Sequence, residues 1–62
     1  MTARERTLRI LVKILAHPYR FTRQDLANEF NDGYVDAISG DIKALKNADL
    51  GFSQEKKPPY RL

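Results

Sequence analysis

FTRQDLANEFNDGYVDAISGDIKALKNADL, running from Phe21 to Leu50, decides the fold. Thr22 can cap a helix, Asp25 three residues on falls in the favourable first turn, and Phe21 can staple to Leu26. Leu26, Ala27 and Phe30 then form the buried side of a helix over about 22–30, two turns long, which must pack on another element to persist. Asn31-Asp32-Gly33 ends it, because these residues tolerate positive φ and suit a sharp change of direction. A third helix follows over about 34–48, with Val35, Ile38, Ile42 and Leu45 at offsets of three, four and three. Its other side carries Asp36, Gly40, Lys43 and Asn47, flanked by Ala37 and Ala44. Gly40 inside this helix costs roughly 1 kcal/mol relative to alanine, unless another backbone approaches closely there.

Upstream, a first helix over about 3–16 is expected to stop before Pro18, which disfavours helical geometry in the residue preceding it. Leu8, Leu11, Val12 and Leu15 recur at helical intervals and are expected to form its core face. Ile10 and Ile14 broaden that stripe, a width available to a dimer or a following domain. The helix is basic and amphipathic, and a core helix with solvated arginines is a simpler reading than one lying on a membrane surface. Downstream of Gly51 the pattern changes to period two: Phe52 and Gln54, a basic loop through Lys56 and Lys57 to Pro58-Pro59, then Tyr60-Arg61-Leu62. Two short strands fit this, with Tyr60 and Leu62 turned inward and Arg61 outward. The expected fold is mainly α with a small β-hairpin, three helices with a helix-turn-helix layout filling residues 1–62 and the hairpin over about 51–62.

Sixty-two residues form one small domain with no room for a catalytic cleft of ordinary depth. The absence of cysteine excludes a disulfide framework and thiolate-bound zinc, and fits a cytoplasmic setting. The amino terminus is not a signal peptide, and no apolar run is long enough to span a membrane. His17, the single histidine, stands at a helix end with no serine or acid completing a triad, and Asp32 and Asp36 lack calcium-loop spacing. No enzyme activity, cofactor or metal is expected. The net charge of +3 is unevenly spread: residues 1–30 carry +3, residues 51–62 carry +2, and residues 31–50 carry −2.

Leu8-Arg9-Ile10-Leu11-Val12-Lys13-Ile14-Leu15, Phe21 through Phe30, Asp41-Ile42-Lys43-Ala44-Leu45-Lys46-Asn47-Ala48-Asp49-Leu50 and Pro59-Tyr60-Arg61-Leu62 together resemble a known family. They look like the amino-terminal winged helix-turn-helix of bacterial transcription regulators, of the DeoR type and of those preceding a WYL effector domain. The resemblance covers nearly the whole chain and implies the amino-terminal part of a longer, homodimeric protein, paired through regions outside these residues. Recognition helices in that family usually read Ser-Arg-Arg-Thr-Ile-x-Arg-Asp-Ile. Here Val35 and Asp36 stand at the paired arginines, Ala37 at the threonine and Gly40 at the arginine before Asp41, and the turn is one residue longer.

A helix-turn-helix presents one face of its second helix to a partner, most often the major groove of double-stranded DNA. Phosphate contacts are expected from Arg23 and Gln24 at the start of helix two, from Lys43 and Lys46, and from the wing residues Lys56 and Lys57. Base edges are within the chemistry of Asn31, Tyr34, Asp36, Ser39, Lys43 and Asn47. The alternative is a degenerate winged helix serving as a protein-interaction module, docking through Asp36, Ala37, Gly40 and Ala44.

Overall fold

Thr2 opens the first helix by accepting a hydrogen bond from the Glu5 amide at 3.1 Å. α1 (Ala3–Ala16) then runs to His17, whose amide still donates to Lys13 before Pro18 halts the ladder. The computed structural model describes residues 1–62, and three helices are its only regular elements. α2 (Arg23–Phe30) begins on a reciprocal capping box: Thr22 Oγ1 accepts from the Asp25 amide at 3.1 Å, and Asp25 Oδ2 accepts from the Thr22 amide at 3.0 Å. It ends where the amides of Asn31 and Gly33 both donate to Ala27 O, at 2.8 and 2.9 Å. Asp32 and Gly33 take positive φ, 52° and 87°, so the turn uses the two residues best suited to it. α3 (Val35–Asn47) follows directly after Tyr34.

The three helices enclose one apolar core. Ile10 and Ile14 come from α1, Leu26 and Ala27 from α2, Ile38, Ile42 and Leu45 from α3, and Leu62 closes the open end. Leu11, Phe21, Phe30, Val35 and Phe52 pack around its edge, and no polar or charged residue is buried. Fully burying an isoleucine or leucine contributes roughly 1.5–3 kcal/mol, so these few side chains hold the domain together. The α3 stripe read from periodicity, with Val35 at its half-buried margin, is the stripe that packs. No helix is long and apolar enough to cross a membrane.

The buried face of α1 is only partly the one expected: Leu11 packs at the edge of the core, but the isoleucine side of the wide apolar stripe is sealed and the rest of the leucine side is not. Leu8, Val12 and Leu15 are exposed, Leu8 at 55% and Val12 at 66%, whereas Ile10 and Ile14 are sealed. Both stripes satisfy the helical period, so periodicity alone cannot choose between them. Arg6 shares the isoleucine face, four residues before Ile10, and from there reaches Asp41 on α3. Docking through the leucine face would forfeit that contact and point a guanidinium at solvent. The apolar stripe of the helix is wider than one packing face, and the domain uses the Ile10–Ile14 side of it with Leu11 at the margin.

The expected β-hairpin of a wing is absent too: residues 51–62 contain no strand. Side chains occupy the places where ladder bonds would run. The Glu55 amide donates to Arg61 O at 2.9 Å, but the Arg61 amide donates to the Glu55 carboxylate, and Gln54 Nε2 donates to Tyr60 O at 3.2 Å. Pro58 and Pro59 supply no amide donors, and Tyr60 at φ 62° leaves the extended region. Of the two residues expected to turn inward, Leu62 is buried and Tyr60 is exposed. Leu62 is fixed by its backbone, donating to Phe21 O and accepting from the Tyr19 amide, both at 2.8 Å.

Truncating Ile14 to alanine should lower the unfolding free energy by about 2–5 kcal/mol, while Val12→Ala should change it by less than about 0.5 kcal/mol. Urea melts of the two variants check the choice of face; equal losses would contradict it.

Candidate nucleic-acid interface

Gln24 and Asn31 set the relation between α2 and α3. Gln24 Nε2 donates to Asn28 Oδ1 and to Gly33 O, each at 3.0 Å, and Asn31 Nδ2 donates to Tyr34 O at 2.7 Å. Both amide protons of Gln24 are therefore spent within the domain, one on Asn28 of α2 and one on the turn. The residue expected at a phosphate instead braces the corner from which α3 departs.

Beyond that corner, α3 presents Asp36, Ser39, Gly40, Lys43, Ala44 and Asn47 to solvent, with Tyr34 exposed at 73% just before it. A Cβ added at Gly40 would meet nothing within 4 Å, so no part of this chain approaches the helix closely there. The outward face is small, and at Gly40 it is free of competing contacts.

Its charge differs from the sequence tally. Asp41 is bound by Arg6 through two hydrogen bonds, Nε to Oδ2 at 2.6 Å and Nη2 to Oδ1 at 3.2 Å, with both side chains mostly covered (18% and 11% exposed). Hydrogen bonding to Asp41, opposed by partial desolvation and aided by the carboxylate charge, holds the Arg6 pKa above its usual value. With Asp41 engaged from the side, α3 leaves Asp36 facing solvent against Lys43 and Lys46. Ser39, Lys43 and Lys46, at spacings of four and three, form one edge of that face.

At the end of that edge the structure joins residues that the sequence could not. Lys46 Nζ donates to Gln54 Oε1 at 2.8 Å and Arg23 Nη2 approaches the same oxygen at 3.4 Å. Arg23 and Lys46 are thus brought together, from the first residue of α2 and the last turn of α3. Gln54, which sequence reading treated only as one side of a strand, is the residue between them. Arg23 Nε is buried with no hydrogen-bond partner. Lys56 and Lys57 are exposed two and three residues further along the same loop.

Other titratable groups are committed elsewhere. Lys13 pairs with Glu29 and lies over the rings of Phe21 and Phe30, 5.0 and 5.6 Å from their centroids. Tyr19 and Ser53 share a hydroxyl contact. His17 meets the edge of Phe21 at 6.1 Å, and no group of three His, Asp or Glu side chains has a metal-ligating arrangement. The chain matches no known family, no curated protein and no solved structure. The likeness to winged helix-turn-helix regulators rests on its residues alone.

A double-mutant cycle with Arg6→Ala and Asp41→Ala should give a coupling of about 1 kcal/mol, above the level of a fully solvated pair. Gly40→Ala should raise stability by about 0.5–1 kcal/mol, since the site is open and helical. Thermal melts check both, and a destabilised Gly40→Ala domain would mean that something packs on that face.

Proposed function

We propose that this domain is the DNA-binding unit of a bacterial transcription regulator of the winged helix-turn-helix type. In this reading α3 enters the major groove, and Tyr34, Asp36, Ser39, Lys43 and Asn47 meet base edges. Arg23, Lys46, Lys56 and Lys57 meet phosphates, and the loop over residues 51–61 takes the place of the strand-built wing. The observation that carries this is the Arg6–Asp41 pair, which removes a carboxylate from the helix that would face DNA and leaves lysines in excess there. Gln24 is assigned to the turn and not to phosphate, on the strength of its two hydrogen bonds.

A single small domain of this kind holds DNA through few contacts, so the reading includes pairing of two copies through regions outside these residues. Half-sites would then lie about 34 Å apart, one helical turn of the duplex. The protein would act in the cytoplasm, where the chromosome is, without catalysing a reaction. Specificity for sequence would come from few groups, because α3 carries valine, aspartate and glycine (Val35, Asp36 and Gly40) where the resembled family carries arginines.

A second reading, a protein-interaction module, is favoured by one observation: the open, uncharged strip at Gly40 and Ala44 on a helix that Tyr34, itself exposed, precedes. The two differ in their response to salt. A DNA reader loses affinity steeply as salt rises, by about 0.9 in the logarithmic slope for each phosphate neutralised, whereas an apolar helix-face contact changes little.

Fluorescence anisotropy with random duplex DNA should show binding at low salt that weakens steeply as salt is added. Replacing Lys56 and Lys57 together by alanine should flatten the slope by about 2 and weaken binding to all sequences alike. No binding at the lowest salt would remove the DNA reading, and an unchanged slope in the variant would remove the loop from the interface.

A further inference from the structure

We propose that Arg23 and Lys46 form a receptor for one phosphate group of a nucleic-acid backbone, and that the side-chain amide of Gln54 occupies the phosphate's position until it arrives. The inference rests on the DNA-binding reading and names the residue that governs one contact within it. Two cations from different helices converge on a single neutral oxygen, Lys46 Nζ at 2.8 Å and Arg23 Nη2 at 3.4 Å. The three ion pairs of the domain involve Arg6, Lys13 and Arg61, so neither Arg23 nor Lys46 has a carboxylate partner. The one acid adjacent in sequence, Glu55, accepts from the Arg61 amide and pairs with its guanidinium.

An amide oxygen is a weak acceptor for two full positive charges. It carries a partial charge, and charge-assisted bonds to an anion are roughly twice as strong as those to a neutral group. Arg23 Nε is in addition buried and unpartnered, so its desolvation is uncompensated while it lasts. Nε and Nη2 are neighbouring donors of one guanidinium edge, the fork that matches two oxygens of a phosphate. A phosphodiester bridging that edge and Lys46 would satisfy the orphaned donor, replace the weak acceptor and be neutralised. Gln54 would swing aside, releasing a 3.2 Å hydrogen bond to Tyr60 O.

The identity of residue 54 follows from this role. Glutamate would have the same shape and would satisfy both cations permanently, cancelling the charge the site offers. Glutamine keeps the two side chains gathered and leaves their charge in place. The site is therefore held open by a side chain that mimics a phosphate oxygen without its charge.

The variant Gln54→Glu tests this, because it preserves size and should keep or raise the stability of the fold. Titration of the isotopically labelled domain with random duplex DNA should move the Arg23 Nε–H resonance. Gln54→Glu should bind on the order of 10-fold more weakly, with a salt slope flatter by about 0.9. Gln54→Ala should bind at least as well as the parent, which a purely structural role for Gln54 does not predict. If the parent binds duplex and Gln54→Glu binds equally, the receptor is refuted while the DNA reading stands. If no duplex binds at low salt, both fall. If inorganic phosphate moves the Arg23 resonance and duplex does not, the site is a pocket for free anions and the nucleic-acid assignment is wrong.

Discussion

Eight apolar side chains at the junction of α1, α2 and α3 are the constraint on which the rest of the structure depends. A chain of this length buries only about 60% of its unfolded surface, so it has no reserve from which to replace a lost contact. α2, at eight residues, is too short to persist alone and exists because Leu26 and Ala27 are enclosed from both sides. The direction of α3 is a consequence of that enclosure, transmitted through the turn that Gln24 and Asn31 brace. Leu62 belongs to the same unit: its backbone joins the segment between α1 and α2, and its side chain completes the seal.

The electrostatics follow from the packing. Once Ile10 and Ile14 face inward, Arg6 lies one turn before them on the same face and meets Asp41. That pair ties α1 to α3 and, at the same time, takes a negative charge away from the outward surface of α3. The exposed Leu8, Val12 and Leu15 are the far margin of the same stripe: an apolar arc this wide cannot all be covered in a three-helix domain.

Much of this was legible in the residues and some of it was not, for identifiable reasons. α2 and α3 were readable because Thr22 and Asp25 form a capping box and because Val35, Ile38, Ile42 and Leu45 offer only one apolar stripe. α1 misled because its apolar stripe is wider than one packing face, and which margin is buried depends on contacts distant in sequence, the Arg6–Asp41 pair across 35 positions among them. The hairpin misled because period two in Phe52, Gln54, Tyr60 and Leu62 describes alternation, not pairing. Pairing needs backbone donors, which Pro58 and Pro59 lack, and the side chains of Gln54 and Glu55 took the acceptors and donors that remained. For the candidate interface, the lysines and Arg23 announced themselves by charge. Gln54 did not, since a neutral polar residue in a loop carries no signal until its neighbours in space are known.

The overall charge of +3 says little about where an anion would be drawn. Arg6, Lys13 and Arg61 are each paired with a carboxylate, which removes them as free sources of attraction. Arg23 and Lys46 meet at Gln54, and Lys56 and Lys57 follow in the same loop, while the loop's one acid, Glu55, is already engaged with Arg61. Surface charges act over about 8 Å at physiological salt, so clustering counts for more than the total. The loop that failed to become a hairpin therefore carries a local cluster of cations without carboxylate partners, Lys56 and Lys57 along it and Arg23 and Lys46 at its edge. It lies at the carboxy-terminal end of α3, whereas Asp36 stands in that helix's first turn. Side-chain charge along α3 is therefore asymmetric, with cations gathered at the loop end and an acid at the other, an asymmetry that the helix dipole, positive at the Asp36 end, opposes.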